Sequence, residues 1–280
     1  MNARVFVGER SVETTAVDDR GLAYGDGLFE TMRAHRGELP WWEAHWARLV
    51  RGAQRLRLAL PDPEFVRGQA RAMLQGRDAG VLKLIVTRGH GGRGYAPPKD
   101  AEPAWMLALH SLPFTPSKGL ALRWCETRLS IQPALAGLKH CNRLEQVLAR
   151  CEWQDVDAHG RDADEGLMLD TEDSVVCATA ANVFALIDGR WTTPQVDRCG
   201  VAGVCRAWAL TELRADEIRL SRRRLESAEA IFLCNAVRGI LPVARLGERA
   251  WAPHPQVSAL RGRLAAVAPM FAVPDRGNEA

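Results

Sequence analysis

The stretch GLKHCNRLEQVLAR, residues 137–150, holds a lysine in a setting that suits amine chemistry. Lys139 follows the apolar, glycine-containing run 134–138, and Leu144, Val147, Leu148 and Cys151 then recur at i, i+3, i+4 and i+7. That spacing predicts an amphipathic helix, and Asn142 with Glu145 three residues on predicts a capping box at its start. A lysine just outside a helix start, held and partly desolvated by packed neighbours, loses its proton near neutral pH and can form a Schiff base with an aldehyde. The plain alternative is a solvated lysine before a helix.

Three further groups could serve such an amine. Gly203-Val204-Cys205 opens a predicted helix, where backbone N–H groups and the positive dipole end favour a phosphate; a glycine there also serves simply as a turn. Arg48, on the polar flank of a predicted helix over 43–56, either pairs with the same phosphate or is a surface charge. In RGHGGRGY, residues 88–95, Arg88 and Arg93 flank glycines that let a ligand approach the backbone, and an arginine fork suits a carboxylate. The alternative for that loop is a glycine-rich hairpin with solvated arginines.

The elements that must position these groups follow from periodicity. The first part of the chain reads as a hairpin near 4–17, a turn cluster at YGDG (24–27), a strand through LFETMRAH, helices over 43–56 and 63–74, and strands near 81–89 and 104–110. We assign it to a small α+β domain, 1–111. LPFTPSKG, 112–119, with two prolines and a glycine, is the linker. The rest, 120–280, reads as a larger α/β domain carrying Lys139: short strands near 120–126, 166–170, 175–179, 182–188, 190–193, 217–220, 230–236 and 239–247, a helix after Gly203, and a last helix over 255–267.

Composition narrows the class. Of 280 residues, 47% are hydrophobic and 25% charged, and the net charge is only +3, so whole-molecule electrostatics call for neither nucleic acid nor membrane. The seven cysteines are odd in number and scattered, with no CxxC and no His/Cys cluster at zinc spacing. Reduced thiols in a cytoplasm are the expectation, with no metal. The opening MNARVFVGER lacks the apolar core of a signal peptide, and no run approaches the ~20 apolar residues of a membrane span.

LAYGDGLFETMR, HWARL, VTRGHGGRGY, GLKHCNRLEQVLAR, TAANVF, RCGVAGVCR and AIFLCNAVRGILPV together resemble, in order and approximate spacing, the class IV aminotransferase-like, fold-type IV pyridoxal-phosphate enzymes. KH-x-NRLEQVLAR and RG-x-GGRGY are similar to the aminodeoxychorismate lyase branch of that family. The resemblance covers about 18–243. It implies a two-domain fold of the D-amino-acid aminotransferase-like kind, pyridoxal 5'-phosphate as cofactor, and a homodimer with the site near its interface. Lys139 would carry the cofactor and shuttle the proton; Arg48 and the N–H groups of Val204 and Cys205 would hold the phosphate, with Asn235 near it. Arg88 and Arg93, with Tyr95, would face substrate carboxylates. The implied reaction releases 4-aminobenzoate and pyruvate, a step toward folate. An aminotransferase acting on D-amino or branched-chain amino acids, and a retired cofactor-binding relative, are the other readings.

One position departs from the pattern. Five residues before the asparagine of the AN-x-F segment the family carries a glutamate against the pyridine nitrogen, and here stands Cys177. A neutral thiol cannot keep that nitrogen protonated, which weakens general aminotransfer more than an elimination driven by aromatisation. Glu172 and Asp173 belong to the expected preceding turn and do not inherit the role.

Overall fold

The computed structural model describes residues 2–114, 119–153 and 163–272. The chain divides into two compact units, the first made of Met1–Pro113, Ser130–Val147 and Val196–Val204, the second of Phe114–Leu129, Leu148–Gln195 and Cys205–Ala280.

The first unit contains β1 (Asn2–Val7), β2 (Arg10–Val12), α1 (Arg20–Tyr24), β3 (Gly27–His35), α2 (Trp42–Leu56), α3 (Pro63–Leu74), β4 (Ala79–Thr87) and β5 (Ala104–His110). Its antiparallel sheet runs β2-β1-β5-β4-β3. Strand alternation and helical periodicity meet in one core. On β3 the alternate residues Leu28, Glu30, Met32 and Ala34 are buried, while Trp42, His45, Arg48, Leu49, Gly52 and Ala53 form the buried stripe of α2. A Cβ on Gly52 would lie 2.9 Å from Leu28 Cδ1, so the glycine lets α2 come close to the sheet. Phe6 stacks on Trp105 at 4.1 Å, with Phe65 edge-on to both. Each large apolar side chain enclosed in this way contributes roughly 1.5–3 kcal/mol. α3 starts where Pro63 fits the first turn and the Asp62 carboxylate accepts from Phe65 N–H at 2.8 Å.

The sequence reading places no element between the hairpin and the turn cluster at 24–27, yet a short helix stands at Arg20–Tyr24. Asp19 accepts from the Gly21 and Leu22 N–H groups at 2.8 and 3.2 Å, and Thr87 Oγ1 donates to its other oxygen at 2.6 Å. A buried cap, itself held by a residue 68 positions away, creates α1.

The second unit contains β6 (Leu120–Trp124), β7 (Glu165–Leu169), β8 (Ser174–Ala178), β9 (Asn182–Ile187), β10 (Arg190–Pro194), β11 (Asp216–Ile218), β12 (Leu220–Ser221), β13 (Ala230–Asn235), β14 (Gly239–Leu246) and β15 (Arg249–Ala250). They form one sheet, β11-β10-β9-β13-β14-β6-β7-β8-β12, with β15 on β14. Most pairs are antiparallel; β14–β6, β6–β7 and β10–β11 are parallel. β7 and β9 are buried throughout, as strands covered on both faces must be. One face packs Leu167, Val183, Ile231 and Leu233; on another, Phe184 stacks on Phe232 at 4.9 Å beside Trp191. Among the described residues, the α-helices after residue 140 are α4 (Leu144–Cys151), α5 (Val204–Leu213), α6 (Arg222–Glu226) and α7 (Pro255–Val267).

Two differences from the sequence reading bear on the site. The lysine segment groups with the first unit, although the sequence order assigns it to the second domain, because its backbone extends the free edge of β3: Phe29 N–H donates to Lys139 O and Cys141 N–H to Gly27 O, both at 2.9 Å. The expected capping box is also absent from α4, since Glu145 accepts instead from Ser130 N–H at 2.8 Å. Of the linker expected at 112–119, residues 115–118 lie outside the described residues.

Candidate active site

Lys139 is fixed by its backbone on both sides. β3 holds it as described; on the other side Gly137 N–H donates to Gly200 O and Ala202 N–H to Gly137 O, each at 3.0 Å, with Gly137 at φ +78°. Arg143 brackets it, donating to His140 O at 2.9 Å and Leu138 O at 3.0 Å. Leu138 anchors the segment in the core. The Nζ stands 4.2 Å from the centre of the Phe29 ring. Burial, and then the Arg48 guanidinium, bring the Lys139 ammonium down from 10.5 to about 7, against the opposing pull of Glu30. Such an amine is available as a base and nucleophile at neutral pH.

Beside it lies a buried charged cluster. Glu30 on β3, 1% exposed, accepts from Arg48 Nε at 2.8 Å through Oε1. Its Oε2 receives Arg48 Nη2 and lies 2.6 Å from His45 Nδ1. Burial pushes the Glu30 carboxyl upward, but the Arg48 charge and the bonds from Arg48 and His45 outweigh it and hold the group at about 2. Burial lowers His45. Arg48 Nη1 donates to Ala202 O at 3.1 Å, which sets the guanidinium two residues ahead of the start of α5. Of five guanidinium N–H groups, three are engaged in these bonds, leaving one on each terminal nitrogen for an anion. Val204, the first residue of α5, has an N–H group that the helix itself cannot satisfy, whereas Cys205 after it groups with the second unit.

The glycine-rich loop is organised differently from the sequence expectation. Arg88 donates from Nε to Asp26 Oδ2 at 2.7 Å and from Nη2 to Asp26 Oδ1 at 3.0 Å, and also reaches Arg57 O and Leu56 O. Four of its five N–H groups are thus engaged within the protein, and it serves the loop rather than offering a free fork to a carboxylate. Arg20 donates to the same Asp26 at 3.0 Å and to the carbonyls of Gly94 and Tyr95, tying the loop down. Arg93 and Tyr95 are exposed, and the Tyr95 ring meets Tyr24 at 5.6 Å.

In the second unit, Cys177 is buried on β8, paired with Met168 of β7, and Glu172 and Asp173 sit on the β7–β8 turn closed by Asp170. Asn235 is occupied: its Oδ1 accepts from Val237 and Arg238 N–H at 3.0 and 2.8 Å, and its Nδ2 donates to Ala180 O at 3.2 Å. It shapes the turn after β13. Cys205 is fully buried, and the adjoining Cys234 thiol, with burial, pushes the Cys205 thiol well up.

Lys139, Arg48 and Val204 therefore come together in the first unit, while Arg88 turns to Asp26. The sequence reading missed Glu30, His45, Arg143 and Arg20. For Glu30 a signal existed: it is a charge at the inward position of the alternating run Leu28, Glu30, Met32, Ala34.

A family model described as amino-transferase class IV matches residues 27–246. Aminodeoxychorismate lyase of Vibrio harveyi is 34% identical over 256 residues, covering 88% of this chain and 91% of that one. The crystal structure of 4-amino-4-deoxychorismate lyase from Pseudomonas aeruginosa matches with a TM-score of 0.85 at 41% identity, over 94% of this chain and 98% of the other. A branched-chain aminotransferase from the archaeon Thermoproteus uzoniensis, solved with norvaline, shares the fold at 18% identity, with a TM-score of 0.80 over 94% of each chain.

Proposed function

The chain belongs to the amino-transferase class IV family, and from that premise we propose that it is a pyridoxal 5'-phosphate-dependent lyase converting 4-amino-4-deoxychorismate to 4-aminobenzoate and pyruvate. The observation that carries the reading is a Lys139 amine brought to about 7 beside an arginine with two uncommitted N–H groups. That donor set fits the cofactor: an aldehyde needs the neutral amine, and a dianionic phosphate needs the Arg48 end and the N–H group that opens α5 at Val204.

When bound, pyridoxal phosphate supplies an electron sink for the carbon bearing the substrate amine. The protein's own residues do the rest. Arg48 and the Val204 N–H group would hold the phosphate, and Arg143 keeps the Lys139 backbone in place. Lys139 Nζ, unprotonated, would take the proton from the amine-bearing ring carbon; the neighbouring ring C–O bond breaks, the ring becomes aromatic, and the departing enolpyruvate takes the proton back from Lys139 to become pyruvate. Arg93 and Tyr95, on the loop fastened by Arg20 and Arg88, face the substrate carboxylates.

A homodimer is part of this reading. It is supported by Leu144, Val147 and Leu148 on α4, which the periodicity predicts as a core-facing stripe and which are 75%, 53% and 60% exposed in the single chain. A cytoplasmic location agrees with cysteines that form no disulfides among the described residues, where no helix is long and apolar enough to cross a membrane. The test is to supply enzymatically generated aminodeoxychorismate and follow 4-aminobenzoate. Absence of that product, with a D-amino or branched-chain amino acid converted to its keto acid instead, would replace the lyase with an aminotransferase.

A further inference from the structure

We propose that Glu30 is a positioning residue of this site: it grips the Arg48 guanidinium along its Nε/Nη2 side, so that only the terminal edge faces a phosphate, and it balances the arginine's charge beside Lys139. The proposal rests on the reading of Arg48 as the phosphate-binding arginine.

The geometry is that of a built support. Both Glu30 oxygens are committed, Oε1 to Arg48 Nε at 2.8 Å and Oε2 to Arg48 Nη2 and to His45 Nδ1 at 2.6 Å. All three side chains are enclosed, Glu30 and His45 at 1% and Arg48 at 7% exposure. A buried carboxylate is costly unless its lone pairs are satisfied, so this strand position has a reason to be charged only if the arginine must be held in one orientation. Ala202 O then fixes the third nitrogen from the other side. Arg48 has no freedom left to swing, and its two remaining N–H groups point away from both partners by the planarity of the guanidinium. Without Glu30, Arg48 would be an uncompensated cation in a buried place, next to an amine that has to lose its proton. The charged and titratable groups acting on Lys139 are Arg48 and His45 from α2, Glu30 from β3, Lys83 from β4 and Arg143 from its own segment. Among the described residues Glu30 is the anion with the largest pull on Lys139.

Two variants separate orientation from charge. Glu30→Asp keeps the charge but is one methylene short of the side-on grip; Glu30→Gln keeps the length but loses the charge. Full-length wild type, both variants and Arg48→Ala, freed of cofactor by dialysis, are titrated with pyridoxal 5'-phosphate and with pyridoxal, which has the same aldehyde and no phosphate. Glu30→Asp should lose on the order of tenfold in preference for the phosphorylated ligand, the equivalent of one charge-assisted hydrogen bond, with pyridoxal affinity unchanged within about twofold. Equal losses for both ligands, or an unchanged preference, would make Glu30 a packing residue and overturn the proposal. An unchanged preference in Arg48→Ala would bring down the phosphate reading itself, and the proposal with it; an effect in Arg48→Ala but none in Glu30→Asp brings down the proposal alone. The second readout is the pH dependence of Lys139 labelling by an amine-reactive reagent, located by mass spectrometry. Glu30→Gln should move its midpoint to lower pH, because the anion favouring the ammonium is gone, while Glu30→Asp should leave it in place. A midpoint that stays put in Glu30→Gln refutes the charge-balancing role, and this readout stands even if Glu30→Asp does not fold.

Discussion

Asp26 grips Arg88 with both carboxylate oxygens, at 2.7 Å to Nε and 3.0 Å to Nη2, and shares one of them with Arg20 at 3.0 Å. Burial pushes the Asp26 carboxyl upward, but the two arginines more than offset it and hold it below the usual carboxylate range. Because Arg88 also donates to Leu56 O and Arg57 O, it ties the strand end after β4 to the end of α2.

Arg88→Ala should therefore act first on stability. Breaking an enclosed pair costs on the order of 3 kcal/mol, moderated here because Arg20 still faces Asp26. Thermal unfolding with and without cofactor measures it. A variant with wild-type melting behaviour and a raised KM would return Arg88 to the substrate.

Arg93→Ala should behave in the opposite way. The side chain is exposed, so melting should be unaffected, while loss of a carboxylate contact weakens substrate binding by roughly 1.5–3 kcal/mol. Steady-state kinetics on aminodeoxychorismate decide the matter, and unchanged KM and kcat would leave Arg93 as a solvated loop charge.

The contrast between these arginines marks what the sequence makes legible. Helix α3 over Pro63–Leu74 and α7 over Pro255–Val267 are readable to the residue, because each has proline in its first turn and α3 has a local aspartate cap. β5, Ala104–His110, is equally plain from its apolar run. Lys139 stands out as a candidate because its apolar, glycine-containing setting is local in sequence, whereas Arg48 reads locally as either a phosphate partner or a surface charge and its partner Glu30 lies 18 residues away. The Arg88 role is not, since Asp26 lies 62 residues away and nothing local says that they meet. α4 fails in a different manner: its period is helical as expected, but the apolar stripe faces outward, and periodicity does not say which surface covers it.

Lys139 supplies a pH prediction with a defined sign. Its folded-state value of about 7 lies below the ordinary 10.5, so between those values the unfolded chain binds a proton that the folded chain does not. Stability from this group should rise with pH across that window, and the cost of the enclosed ammonium is fully present below about 7. Lys139→Met should flatten that part of the stability profile measured by denaturant titration. The amine should also react with a labelling reagent with a midpoint of about 7, and Lys139→Ala should lose both the cofactor's visible absorbance and the lyase reaction. Full activity in Lys139→Ala would sink the assignment.

Cys177 carries the last prediction. It is buried on β8 opposite Met168, and the nearby acids Glu172 and Asp173 are on the turn, where Asp173 has a left-handed φ of +60°. If Cys177 stands beside the pyridine nitrogen of the bound cofactor, that nitrogen lacks an anionic partner, and the electron sink is weaker than with a carboxylate. Loss of the enolpyruvyl group from aminodeoxychorismate tolerates the weakness, because the ring gains aromatic stabilisation as charge is relieved. An ordinary amino acid has no such gain. Cys177→Glu should accordingly raise transamination of simple amino acids markedly while changing 4-aminobenzoate production comparatively little. The new carboxylate has to be paired with the protonated nitrogen; without cofactor it is enclosed and lacks that cationic partner, at a cost of several kcal/mol. The variant should for that reason gain more thermal stability on adding pyridoxal phosphate than the wild type does. A folded, cofactor-binding variant whose ratio of the two activities is unchanged would show that Cys177 does not face the nitrogen.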